Sequence, residues 1–133
     1  MSISNIRRAV LAAAVAGLAA GSTARADIKD YEFQLVDQAI KAGPDKIITV
    51  RLVNKATGKP VPDAVIFTTR LDMAPDGMQE MTTKVMPMPG TEPGTYRFKA
   101  NLSMAGGWQL SLGAKVQGET GTLERKIVIR AER

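Results

Sequence analysis

Two-residue alternation of apolar and polar side chains runs through most of this chain, and no other period competes with it. In GTYRFKANL, Tyr96, Phe98, Ala100 and Leu102 fall on one side, with Arg97, Lys99 and Asn101 on the other. WQLSLGAKV repeats the pattern with Trp108, Leu110, Leu112, Ala114 and Val116. Successive side chains of a β-strand point to opposite faces, so such segments read as strands with one face buried. YEFQLV places Tyr31, Phe33 and Leu35 together, and DKIITVRLVN does the same with Ile48, Val50 and Leu52. DAVIFTTRLD is rich in β-branched residues, and TLERKIVIR closes the pattern with Leu123, Ile127 and Ile129 inward. A shorter strand over Met81–Met88 brings the total to about seven. Gly and Pro punctuate the strands, with connections expected at Lys55–Asp63, Asp72–Gln79, Pro89–Gly94, Ser103–Gly107 and Gln117–Gly121. Beyond residue 26 no segment sustains a helical period. The expected fold is all-β, an antiparallel two-layer sandwich.

Ahead of the strands, MSISNIRRAVLAAAVAGLAAGSTARAD has the three parts of a secretory signal peptide. Arg7 and Arg8 form a basic start, Ala9–Ala20 an apolar stretch, and Ala24-Arg25-Ala26 a small-residue cleavage site. The apolar stretch of about 12 residues is short of the roughly 20 that cross a bilayer. Residues 1–26 are therefore expected to be cleaved, leaving one domain over 27–133 in the periplasm, with no stable membrane insertion after cleavage. Cleavage removes three of the 18 basic residues and none of the 13 acids, so net charge falls from +5 to +2. Interspersed charges and few aromatics argue against a nucleic-acid partner. The chain has neither cysteine nor histidine, which removes thiolate chemistry and the commonest general base and metal ligand. With no nucleophile motif such as G-x-S-x-G or S-x-x-K, the expectation is a protein that is not an enzyme and carries no organic cofactor.

Methionine is distributed unevenly. After residue 26 there are six, Met73, Met78, Met81, Met86, Met88 and Met104, and five of them lie within residues 73–88. Two explanations stand on the residues alone. Methionine is a flexible filler for irregular cores and for adaptable protein contacts. Met86 and Met88, two apart on one strand face, suit that role. Thioethers are also neutral, soft donors that favour Cu(I) and, by the same argument, Ag(I). Met73, Met78 and Met81 flank the turn signal APDG, which brings such spacings together near the surface. These three are the first-choice ligands, with Met86, Met88 and Met104 next. The indole of Trp108 is either a cap on the cation or the central aromatic of the core. Asp72, Asp76 and Glu80 are too hard to ligate Cu(I) and are expected to solvate the loop.

GKPVPDAVI, RLDMAPDGMQEM and GTYRFKANLSMAGGWQLSLGAKVQGE together resemble the YtkA-like domain family, which overlaps in description with FixH-type proteins. The resemblance runs from about Tyr31 to Arg130. It implies an immunoglobulin-like β-sandwich in the periplasm, associated with copper or other heavy-metal handling. The methionine stretch is similar to segments of heavy-metal efflux adaptor proteins. Many periplasmic copper carriers mix methionine with histidine, and this chain has no histidine, which leaves a thioether Cu(I) or Ag(I) site. The function implied is a carrier, buffer or accessory for a copper or heavy-metal efflux or oxidase-assembly partner. The alternative is a protein-interaction module without metal, whose methionine-rich loop docks a membrane-complex subunit.

Overall fold

The computed structural model describes residues 27–133. The signal segment expected over residues 1–26 lies outside them. Ten strands follow one turn of 3-10 helix at Ile28–Asp30. They are β1 (Tyr31–Leu35), β2 (Ala39–Lys41), β3 (Gly43–Asn54), β4 (Lys59–Pro60), β5 (Val65–Met73), β6 (Met78–Thr83), β7 (Val85–Met88), β8 (Thr95–Leu102), β9 (Gly106–Lys115) and β10 (Leu123–Glu132). Sheet one has the order β1-β3-β8-β7, with β4 paired to the end of β3. Sheet two has the order β2-β10-β9-β5-β6. One sheet built from the first, third, eighth and seventh strands, facing one in which the last strand pairs beside the ninth and fifth, is the immunoglobulin-like sandwich arrangement.

Every position expected inward by alternation is buried or packs against the core, which Ile48, Leu52, Leu102, Trp108, Leu110 and Ile129 dominate. The strand count differs from seven for three reasons. Short β2 forms a parallel pair with β10, an exception to antiparallel pairing. Short β4 interrupts the connection expected at 55–63. The single strand expected over 81–88 divides at Lys84 into β6 on sheet two and β7 on sheet one. A strand that changes sheets forms a corner of the sandwich.

β5 departs from simple alternation. Ile66 lies opposite inward Ala114, and Leu71 opposite inward Leu110. Positions five apart share a face only if a residue is inserted between them. Phe67 is that residue, a bulge between Ile66↔Ala114 and Thr68↔Gly113. Its ring lies over Gly113, where a side chain would collide with Thr68 Cγ2 and sit 3.5 Å from Phe67 Cζ.

Polar contacts tie the sheets together at their edges. Arg125 of β10 donates from Nη2 to the carbonyl of Tyr31 at 3.1 Å. Tyr96 donates its hydroxyl to the Val61 carbonyl at 2.6 Å and accepts from the Ala64 N–H at 3.1 Å, fastening the link between β4 and β5. The Tyr31 hydroxyl donates to Glu119 Oε2 at 2.8 Å. Burial, and then that hydrogen bond to the carboxylate, push the Tyr31 phenol up to about 12.

A phenol held protonated by the fold contributes stability that is complete below pH ~10 and is lost as pH rises through the folded value. At pH 8, Tyr31→Phe should lower unfolding stability by about 1.5–3 kcal/mol, the range for a hydrogen bond to a charged group. In urea unfolding, the gap between wild type and variant should narrow as pH rises from about 10 towards 12. A gap that stays constant across that window would show that the phenol is not held protonated by the fold.

Candidate functional site

Strand register places the methionines at definite levels of the sandwich. β5 ends at Met73, β6 begins at Met78, β8 ends at Leu102 and β9 begins at Gly106. The antiparallel pairings bring all four of these termini to one end of the molecule. The β5–β6 turn and the β8–β9 loop therefore meet there.

Their contact is specific. Ala74–Asp76 forms a single 3-10 turn with Pro75 at its start, closed by Gly77 at φ 74°. Asp72 is only 3% exposed. Its Oδ1 accepts the Ala74 N–H at 2.9 Å, and its Oδ2 accepts Arg70 Nε at 2.7 Å. Asp76 reaches across to β9, where its Oδ2 accepts the Gly107 N–H at 3.2 Å. Gly106, at φ 140°, lies so close to the turn that a Cβ there would collide with Asp76 Oδ2 and sit 2.8 Å from Met73 Cε. A Cβ on Gly107 would stand 2.9 Å from Pro75 Cβ. Asp72 and Asp76, expected to solvate the loop, instead fasten it. The sequence signal for this was weak: a Gly-Gly pair opening an alternating strand, which marks a close backbone approach.

The six methionines separate into three environments. Met73 is wholly buried, because the bulge at Phe67 turns it inward with Leu71. The expectation that the turn leaves Met73 near the surface does not hold. Met78 pairs with Met73 across β5 and β6 and is half-buried against the core, whereas Met81 is 36% exposed. Met104 is 42% exposed in the β8–β9 loop, and its carbonyl accepts the Trp108 Nε1–H at 3.0 Å. Trp108 itself is buried in the core, with its indole N–H occupied. Met86 and Met88 do share a face of β7, but it is the outer face of sheet one. There they stand directly opposite Lys99 and Arg97. Two cations beside those sulfurs oppose the arrival of a third.

Among the described residues no group of three or more aspartates or glutamates is placed to hold a metal ion. What this end offers is neutral thioether sulfur.

The profile of YtkA-like proteins matches residues 25–113 of the chain. The chain belongs to the YtkA-like family. The match takes in both methionine-bearing connections and stops within β9, short of the extent to Arg130 that the motifs suggested. No curated protein matches. Among solved structures the chain is similar to the Lin-41 filamin domain, at 19% identity over 78% of this chain and 93% of that one, with a TM-score of 0.48. It is also similar to the ZirS C-terminal domain, at 13% identity over 98% and 88%, with a TM-score of 0.47. FdeC, an Escherichia coli adhesin, aligns at 16% identity over 93% of this chain and 34% of its own, with a TM-score of 0.41.

In this YtkA-like domain the contact between turn and loop depends on the absence of a side chain at residue 106. Gly106→Ala should cost about 1–3 kcal/mol through overpacking and an unfavourable φ, read as a lower urea midpoint at unchanged slope. Asp76→Ala should cost about 1 kcal/mol, the value of one hydrogen bond. A neutral Gly106→Ala would mean that the loop does not rest on the turn.

Proposed function

We propose that this YtkA-like protein is an exported, periplasmic binding protein for a soft monovalent cation, Cu(I) in the first place and Ag(I) as the alternative. It holds the ion through the thioethers of Met78, Met81 and Met104. The observation that carries this reading is the docking of the start of β9, at Gly106 and Gly107, on the β5–β6 turn, with Met104 just ahead of it at the same end of the sandwich as Met78 and Met81. Met73 and Trp108 are buried in the core. Of the six methionines that sequence reasoning offers as ligands, Met73 packs the core, and Met86 and Met88 stand beside cations.

The donor chemistry suits the ion. Thioethers need no deprotonation, and Cu(I) prefers them to carboxylate or water. Asp72 and Asp76 are already engaged in hydrogen bonds of the turn, so they do not compete as hard ligands. With no histidine or cysteine in the chain, affinity should be nearly constant between pH 5 and 8. The protein acts as a carrier or buffer rather than an enzyme, and it passes the ion to an efflux or oxidase-assembly partner.

The test is an anaerobic titration of residues 27–133 with Cu(I) against a chromophoric chelator, with methionine methyl resonances followed by NMR. Stoichiometric uptake should shift Met78, Met81 and Met104 and leave Met86 and Met88 in place. Met78→Leu, Met81→Leu and Met104→Leu together should weaken binding at least about tenfold, or ~1.4 kcal/mol. The pair Met86→Leu and Met88→Leu should leave it unchanged. Retention of full affinity by the triple variant, or no uptake at all, would remove the reading.

A further inference from the structure

β5 is paired along its whole length on one side only. With β9 it pairs from Val65 to Asp72, but with β6 it pairs only at Leu71, Asp72 and Met73. β6 leaves early because the chain crosses to sheet one at Lys84. The stretch Val65–Arg70 is thus an open sheet edge, and alternate residues of a strand must direct their N–H and C=O groups to that side. Among the described residues no other backbone group takes those bonds. Sheet edges in natural proteins are usually blunted by shortness, charge or proline. β7, the opposite edge, is four residues long and contains Pro87. VIFTT has no charge and no proline, and it leaves Val65 63% and Phe67 55% exposed.

The surroundings are shaped for side chains of an added strand. Between this edge and β7 lies an opening of about 280 Å³ bounded by Ile66, Pro87, Tyr96 and Phe98. For scale, a cavity of ~150 Å³ accepts a benzene molecule. On the outer side, a larger hollow of about 570 Å³ runs from Thr68 past Gly113 to Arg125 and Lys126. Arg97 borders the inner opening, and Arg125 and Lys126 border the outer one. Neither ion pair among the described residues, Lys55–Glu32 or Arg70–Asp72, involves Arg97 or Lys126, whereas the Arg125 guanidinium is turned to the carbonyls of Tyr31 and Glu124. Glu124 is the one carboxylate lining either hollow.

We infer that the free edge of β5, Val65–Arg70, accepts an extended acidic segment of a partner protein as an added β-strand. Main-chain bonds to β5 supply the pairing, and alternate apolar side chains enter the opening beside Ile66 and Phe98. Acidic side chains face Arg97 and Lys126 within the ~8–10 Å over which charge acts at physiological salt. The bulge at Phe67 sets the register, because two residues of β5 there face one of β9. This surface is separate from the methionine end, so it stands or falls independently of metal binding.

The probe is a capped peptide of about six residues, a typical strand length, alternating Val and Glu, with a Val–Lys peptide as its control. Amide exchange of residues 27–133 should slow on adding the Val–Glu peptide, with protection concentrated at 65–70. Affinity should fall as salt is raised, and the Val–Lys peptide should give no protection. Arg97→Glu with Lys126→Glu should weaken binding at least about tenfold, and circular dichroism should show the sheet intact. Phe67→Asp gives a second, independent loss. Equal binding of both peptides, or protection elsewhere than 65–70, would overturn the inference. So would protection of 65–70 that tracks protein concentration without peptide, since the occupant would then be a second copy of this chain.

Discussion

The extra residue in β5 decides which side chains reach the interior of this sandwich. Period-two geometry allows Ile66 to face inward or Leu71 and Met73 to do so, but not all three. Inserting Phe67 lets all three enter the core, and it places an aromatic ring over Gly113, where no side chain fits. The burial of Met73, and the contact of its methyl group with the β8–β9 loop at Gly106, follow from that insertion. So does the placement of Asp72 on the opposite face of β5 from Leu71, buried by its own bonds, where its carboxylate shapes the turn that carries Met78.

Legibility of the chain follows the regularity of its strands. In β1, β8, β9 and β10, and in β3 beyond an irregularity at Gly43–Lys46, alternation is unbroken, and each residue expected inward packs in or against the core. All but β1, which lies at an edge, stand between partners whose hydrogen bonds hold the pleat regular. β5 carries a run of β-branched and aromatic residues without clear alternation, so the bulge left no trace in the residue pattern. The crossing at Lys84 was equally hidden, because Met81, Met86 and Met88 read as one continuous strand whether or not the chain changes sheet. Strand propensity is local, whereas sheet membership depends on which edge a strand can reach.

At the methionine end, sequence reasoning offered six candidate sulfurs, and the structure separates them by burial. Spacing around APDG suggested that Met73, Met78 and Met81 converge at a surface. Register buries the first, half-buries the second and exposes the third. Proximity of Met104 comes from tertiary packing of Gly106 and Gly107 on the turn, which no local pattern encodes. Asp72 and Asp76, near a suspected cation site, read as charge that solvates the loop. Their hydrogen bonds to Ala74 and Gly107 show that short acidic side chains in a turn more readily satisfy backbone donors.

The position of β10 in the sheet has a consequence for the order of folding. This strand pairs with β9 along nearly its whole length and also receives β2 from the other end of the domain. Arg125 within it reaches back to the carbonyl of Tyr31 in the first strand. Sheet two therefore lacks one of its inner strands until residues 123–132 have left the ribosome. Contacts of such long sequence separation place the domain among slow, high contact-order folders, which take milliseconds to seconds rather than microseconds. A nascent chain of this kind holds an unclosed second sheet for as long as it is being made.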